Sequence, residues 1–225
     1  EVMAGWTYSV KSRRYQDEAT GKFLSHRQML ELRDTFADLQ MARAGGLAKQ
    51  LAAGDMSLQQ WELSMRALTK TAFVDQYILG KGGRGNMTKQ DWGRIGFDLA
   101  NQNDYLRGFA RDISEGKLSQ AAIANRAGLY MDASTAAYER GAGAAAGLVL
   151  PAYPGDGTSC DGKARCRCHW QIEGIPGDIF AYWRLGASEH CQKCLANAAK
   201  WNPLKIVNGR QVEQRAALAV HPNGH

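Results

Sequence analysis

All five cysteines of the chain lie between Cys160 and Cys194, with His169 and His190 among them. The stretch opens on Cys160, continues as Cys166-Arg167-Cys168-His169-Trp170, and closes as His190-Cys191-Gln192-Lys193-Cys194. Thiols that only fill a core need no such crowding. Zn²⁺ takes four soft or borderline donors at tetrahedral corners, and a Cys-x-x-Cys turn delivers two of them from one bend. A structural zinc site is therefore expected, with Cys160, Cys166, Cys168, Cys191 and Cys194 as its candidate ligands. Cys160, Cys191 and Cys194 form the basic set, and one or both of Cys166 and Cys168 complete it. Iron is the other metal such thiolates accept. In extended chain Cys166, Cys168 and Trp170 share one face while Arg167 and His169 share the other, so His169 is the weaker donor. His190 reads as a neighbour of the site rather than a ligand.

Other chemistries fit these residues less well. Two disulfides with an odd thiol call for an oxidising compartment, and the first residues show no secretory-signal pattern. A redox Cys-x-x-Cys wants a thioredoxin-like strand–helix setting, which the residues around Cys191 do not spell out. Catalytic zinc keeps an open coordination position beside a general base. Glu189 and Asp156 are the carboxylates at hand, and no His-Glu-x-x-His run occurs.

A small module must hold these ligands. Pro151-Ala152-Tyr153-Pro154-Gly155-Asp156-Gly157 is turn-rich and opens it. Cys166 to Ile172 reads as a strand, Gly174 to Asp178 as a turn, and Ile179 to Leu185 as a second strand whose residues alternate in character. Cys191 to Trp201 reads as a short helix stopped by Trp201-Asn202-Pro203. The result is a zinc-ribbon-like hairpin plus helix over residues 151–207, and metal binding would supply folding energy that roughly 50 residues struggle to find by burial alone. Folded with metal, the module is expected to present the Tyr153–Thr158 loop, while Trp170, Trp183 and Trp201 are expected either to pack its core, the leading reading since aromatics dominate small cores, or to form a docking cluster. Residues 208–225 read as a tail.

Upstream, residues 26–150 carry helical periodicity. Met29, Leu32, Phe36 and Leu39 mark one face of a first helix that Gly54 closes. Ser57 and Gln60 form a capping box for a second, with Trp61, Met65, Leu68 and Ala72 inward. Thr88 and Asp91 start a third, with Trp92, Ile95, Leu99, Leu106, Phe109 and Ile113 along one side. Ser119 opens a fourth, bearing Ile123, Arg126, Tyr130, Ala133 and Ala137, which runs into the small residues 141–147 and implies a close helix crossing. The fold class is mainly α: a four-helix body with a small α+β C-terminal lobe. Gly80 and Gly85 have the outer spacing of a P-loop, but Asn86-Met87 stands where lysine and a hydroxyl belong, so a linker is expected. Residues 1–25 read as an extended N-terminal arm.

The chain has 225 residues and a formal net charge of +6, with 28 basic against 22 acidic side chains and no long basic block. A solvated basic surface accounts for that; the alternative is a zinc-dependent nucleic-acid-binding module, in which Lys163, Arg165 and Arg167 would contact phosphate, and a metallohydrolase is the lesser alternative. The apolar run from Ala142 to Ala152 is too short to span a bilayer, which takes about 20 residues, so a soluble protein is expected.

Four groups of residues, in order along the chain, carry a resemblance. They are Arg14-Tyr15-Gln16-Asp17 with Thr20 to Ser25; Gly82-Gly83 with Met87 to Arg94; Leu150 to Thr158 followed by Cys166 to Trp170; and His190 to Cys194 with Trp201-Asn202-Pro203. Together they resemble the minor head proteins of tailed bacteriophages, the head-morphogenesis proteins. The likeness to the Mu-type head-morphogenesis family is looser, since Arg165 precedes Cys166-Arg167-Cys168 where that family has asparagine. The resemblance implies a non-enzymatic virion component near the portal or head–tail junction, made in the host cytoplasm, that aids head assembly or genome passage. Its implied partners are portal or capsid proteins and further copies of itself in a symmetric assembly, with non-specific DNA contact and no membrane or small-molecule substrate.

Overall fold

The computed structural model describes residues 5–154, 167–175, 178–186, 190–208 and 210–212. The chain is mainly helical, with a small β-sheet in its C-terminal part. Its first element is a hairpin of β1 (Trp6–Ser9) and β2 (Arg14–Asp17). The N-terminal residues therefore form a structure of their own rather than a plain extended arm. Tyr15 is buried, stacks edge-on against Tyr8, and its hydroxyl donates to the Leu79 carbonyl at 3.2 Å, which seats the hairpin on the helical body.

Three of the helices start where the caps predict, at Ser57, Thr88 and Ser119. Ser25 caps α1 (His26–Ala53) and Ser57 caps α2 (Leu58–Lys81), each with a reciprocal glutamine three residues on. Thr88 and Asp91 do the same for α3 (Lys89–Ser114), and the Ser119 hydroxyl caps α4 (Gln120–Asp132). α1 passes unbroken through Gly45-Gly46 and ends at Gly54, whose φ of 79° is the left-handed conformation that glycine adopts without penalty.

Two expectations change. The fourth helix is two helices: it stops at Ala133-Ser134 and restarts as α5 (Thr135–Ala145), so five helices build the body. The Ser134 side chain bonds the Met131 carbonyl and the Thr135 side chain that of Asp132, local bonds that compete with the helical ladder. The buried face of α1 is also rotated from the apolar one. Met29, Arg33, Ala37, Gln40, Ala44 and Ala48 face inward while Leu39 is 50% exposed. Small and polar side chains suit that seam because the neighbouring helices lie close. On α3, Trp92 likewise sits at the surface, against the Arg84 guanidinium.

α2 and α5 cross tightly, as the small residues of 141–147 imply. A Cβ on Gly80 would collide with the Tyr138 carbonyl, and one on Gly141 with the Tyr77 carbonyl. Gly80 thus belongs to a helix contact rather than to a loop. The main body core gathers Trp61, Met65, Phe109, Leu106, Tyr130 and Met131 from α2, α3 and α4.

The C-terminal lobe is a four-stranded antiparallel sheet in the order β3-β4-β5-β6, with β3 (His169–Ile175), β4 (Asp178–Arg184), β5 (Leu204–Val207) and β6 (Arg210–Val212). α6 (Gln192–Lys200) lies between β4 and β5 in the chain. The hairpin and helix are where the pattern puts them, but β5 and β6 are additions, and the residues read as a tail open with a strand. The lobe's core is shared with the body: Ala136, Leu148, Leu150 and Ala152 pack with Trp170, Ile179, Ala181, Trp183, Trp201 and Ile206.

Candidate metal centre

Cys168 precedes β3, and its side chain is on the inner face with Trp170, as alternation predicts; both are 2% exposed. Cys191 caps α6 and Cys194 sits in its first turn, where the Cys191 sulfur accepts the Cys194 amide at 3.4 Å. Amides at a helix start directed at sulfur suit a thiolate that carries negative charge. Cys168, Cys191 and Cys194 therefore join one buried cluster from two distant parts of the chain. His190 Nδ1 lies 3.8 Å from the Cys168 sulfur, a neighbour at weak hydrogen-bonding distance. Cys160 and Cys166 lie outside the described residues, as do Asp156, Lys163, Arg165 and Glu189. Among the described residues no group of three or more histidine, cysteine or acidic side chains converges on a point that could hold a metal ion. The thiol-rich donor set has the chemistry zinc takes.

The three tryptophans form the predicted aromatic core. Trp170 meets Trp183 edge-on at 5.3 Å between centroids and Trp201 at 5.5 Å, while the Trp183 amide donates to the Trp201 carbonyl at 2.9 Å. All three are buried, so they pack the lobe and present no docking surface.

The residues on the opposite face of the cysteine strand bind the lobe to the body. Arg167 reaches Asp38 at 2.8 Å, Asp132 at 3.1 Å and Asp34 at 3.7 Å, two of them on α1 and one at the end of α4. Three carboxylates hold its charge, which competes with the phosphate contact its sequence position suggested. His169 lies against His26 of α1, ring centroids 5.2 Å apart, pointing at the body rather than at the cysteines. Burial, aided by the charges of Arg33 and His26, pushes His169 down to about 4.

A buried ion pair beneath them has no counterpart in the sequence reading. Glu139 of α5 and Arg33 of α1 are both 1% exposed and meet at 2.7 Å. The second Glu139 oxygen accepts the Trp170 backbone amide at 2.9 Å, and the Arg33 carbonyl accepts the Gln76 side chain at 2.8 Å. Burial pushes Glu139 up to about 7, opposed by Arg33 and by the Trp170 amide. The available signal was a lone acid within the small-residue run of α5, together with Arg33 in step with Met29 and Ala37 on one helix stripe.

Comparisons of this chain with protein-family models, with curated proteins and with solved structures find no match. Among the described residues no helix is long and apolar enough to cross a membrane.

Proposed function

We propose that this chain is a structural, non-enzymatic component of a tailed-phage virion, a minor head protein near the portal or head–tail junction, whose C-terminal lobe is closed by zinc. One observation supports the reading above others. Two of the four segments that carry the resemblance meet in one place: Leu150, Ala152, Tyr153, Cys168 and Trp170 from one, and Cys191, Cys194 and Trp201 from the other, contribute to a single cluster. Arg14 to Asp17 forms β2, and Asp91 caps α3 while accepting the Tyr77 hydroxyl at 2.7 Å. Residues of that kind build the joint of the protein, and a folded clamp is what a scaffold component requires.

The candidate zinc ligands in this reading are Cys160, Cys191 and Cys194, with one or both of Cys166 and Cys168 completing the set; Cys191 caps α6 and Cys194 lies in its first turn. Bound zinc would fix the helix against the sheet and add its binding energy to folding. Portal or capsid proteins and further copies of the chain are the partners, and any non-specific DNA contact falls to Lys163 and Arg165.

The test is immunogold labelling of particles and assembly intermediates of the phage that encodes the chain. Label confined to one vertex supports the assignment, and absence from every particle form contradicts it.

A further inference from the structure

A cleft of about 460 Å³ lies between the N-terminal hairpin, the start of α1, the α2–α5 crossing and β3. Tyr15, Leu24, Met29, Leu79 and Tyr138 give it an apolar floor, while Arg13, Arg14, His26 and Glu173 stand around it. Its remaining wall is the outer edge of β3, since β3 ends the sheet and pairs with β4 on its other side alone.

Two contacts fix which backbone groups of β3 face that cleft. Trp170 is paired with Trp183 in the register, yet the Trp170 amide donates to Glu139 and the Trp183 amide to the Trp201 carbonyl. Trp170 and Trp183 are thus a non-hydrogen-bonded pair, and the alternation of an antiparallel ladder makes Ile172 and Ala181 the next such pair. Gln171 and Glu173 make the bonds to β4. The N–H and C=O of Ile172 and the C=O of Trp170 therefore point outward, and among the described residues nothing accepts from or donates to them. Gly174 bears the parity out, since its carbonyl also points outward and accepts from Arg13 at 2.8 Å. Arg13 holds a φ of 53°, an uncommon backbone for a residue with a side chain, at the point where the hairpin tip reaches across to β3. Glu139 closes one end of the open edge and Arg13 the other.

We propose that this cleft is a docking groove in which an extended acidic peptide of a partner protein adds as a strand beside β3, pairing through Ile172. An edge with unpaired backbone groups beside an apolar floor is the geometry of strand addition: main-chain bonds give affinity, and alternate side chains enter the floor. The charge of the partner follows from the rim, where the two arginines Arg13 and Arg14 face a single acid, Glu173. The groove is independent of the cysteine cluster and of the virion assignment.

The test is fluorescence polarisation of the full chain with a short fluorescein-labelled peptide of alternating glutamate and valine. Two controls accompany it: the lysine–valine peptide, and the acidic peptide N-methylated at every residue. Saturable binding of the acidic peptide is expected, weakened at least about tenfold by N-methylation and by the charge reversal. Ile172→Pro removes the outward N–H and leaves the bonds to β4 intact, because proline is tolerated on the free side of an edge strand. That variant and Arg13→Glu, each checked for native circular dichroism, should lose binding by a similar factor. Equal binding of the N-methylated peptide, or no binding of the acidic peptide up to millimolar concentration, overturns the proposal. Self-association of the chain that the peptide competes away would give the groove to a second copy and overturn it equally.

Discussion

Glu139 accepts the backbone amide of Trp170 at 2.9 Å with a carboxylate that is 1% exposed, so a helix of the body sets the position of the first strand of the lobe. Its other oxygen takes Arg33 of α1 at 2.7 Å, and three elements meet at one side chain. The cysteine strand is thereby anchored two residues beyond Cys168. Any metal clamp in the lobe is mechanically continuous with the body.

Removing one partner of such a pair leaves the other charge buried and uncompensated. Glu139→Ala is expected to cost about 3–5 kcal/mol, read from urea unfolding. The double variant Arg33→Met with Glu139→Met should recover part of that loss only. The Trp170 amide stays without an acceptor, a residual cost of about 1–3 kcal/mol. Full recovery in the double variant would show that the amide contact contributes nothing.

The histidine pair makes the joint sensitive to pH. His169 is neutral when folded and held near a pKa of about 4, against an ordinary 6.5. The unfolded chain binds the proton first as pH falls, so stability present above about 6.5 is lost on the way down to 4, by at most about 3 kcal/mol. Glu139 acts with the opposite sign: raised to about 7, it favours the folded state at low pH and loses that contribution as pH rises through 7. His169→Phe isolates the first effect. The stability difference between wild type and variant, measured at pH 7 and pH 4.5, should move toward the variant by about 1–3 kcal/mol, and a constant difference would remove the histidine from the account.

Glycines on two faces of the helices separate contact from propensity. Gly141→Ala places a methyl group against the Tyr77 carbonyl and should destabilise by about 1–3 kcal/mol. Gly93→Ala in α3 meets nothing within 4 Å and should stabilise by about 0.5–1 kcal/mol. Thermal unfolding of both variants checks the pair, and equal effects would mean the α2–α5 crossing is looser than described.

Arg167 carries the outer half of the joint. Arg167→Ala should speed hydrogen exchange in β3 and in the facing turns of α1, with a loss of about 1–3 kcal/mol that shrinks in high salt. Exchange unchanged at both elements would show that Asp34, Asp38 and Asp132 do not hold the lobe.

Three helix starts were legible because a cap is a local event: Ser57, Thr88 and Ser119 each bond an amide three residues on. The tryptophan core and the strand carrying Ala181 and Trp183 were legible from alternation. What the sequence hid was tertiary in origin. Leu39 faces outward and Arg33 inward because Glu139 waits on a helix far along the chain. Ser134 breaks a helix whose apolar pattern continues across it. β5 has four residues and β6 three, too short for alternation to stand out. Arg167 beside cysteines resembles a phosphate contact until the aspartates of α1 and α4 are placed around it. Of the candidate ligands, Cys168, Cys191 and Cys194 are brought into one cluster, while Cys160 and Cys166 lie outside the described residues.

The measurement that bears most directly on the zinc-clamped lobe is metal content by plasma emission on chain purified without chelator, beside a Cys194→Ser variant. About one zinc per chain, lost in the variant together with near-ultraviolet circular dichroism from the tryptophan cluster, is the predicted result. A wild-type chain that carries no stoichiometric metal and keeps that signal unchanged in the presence of chelator would contradict it.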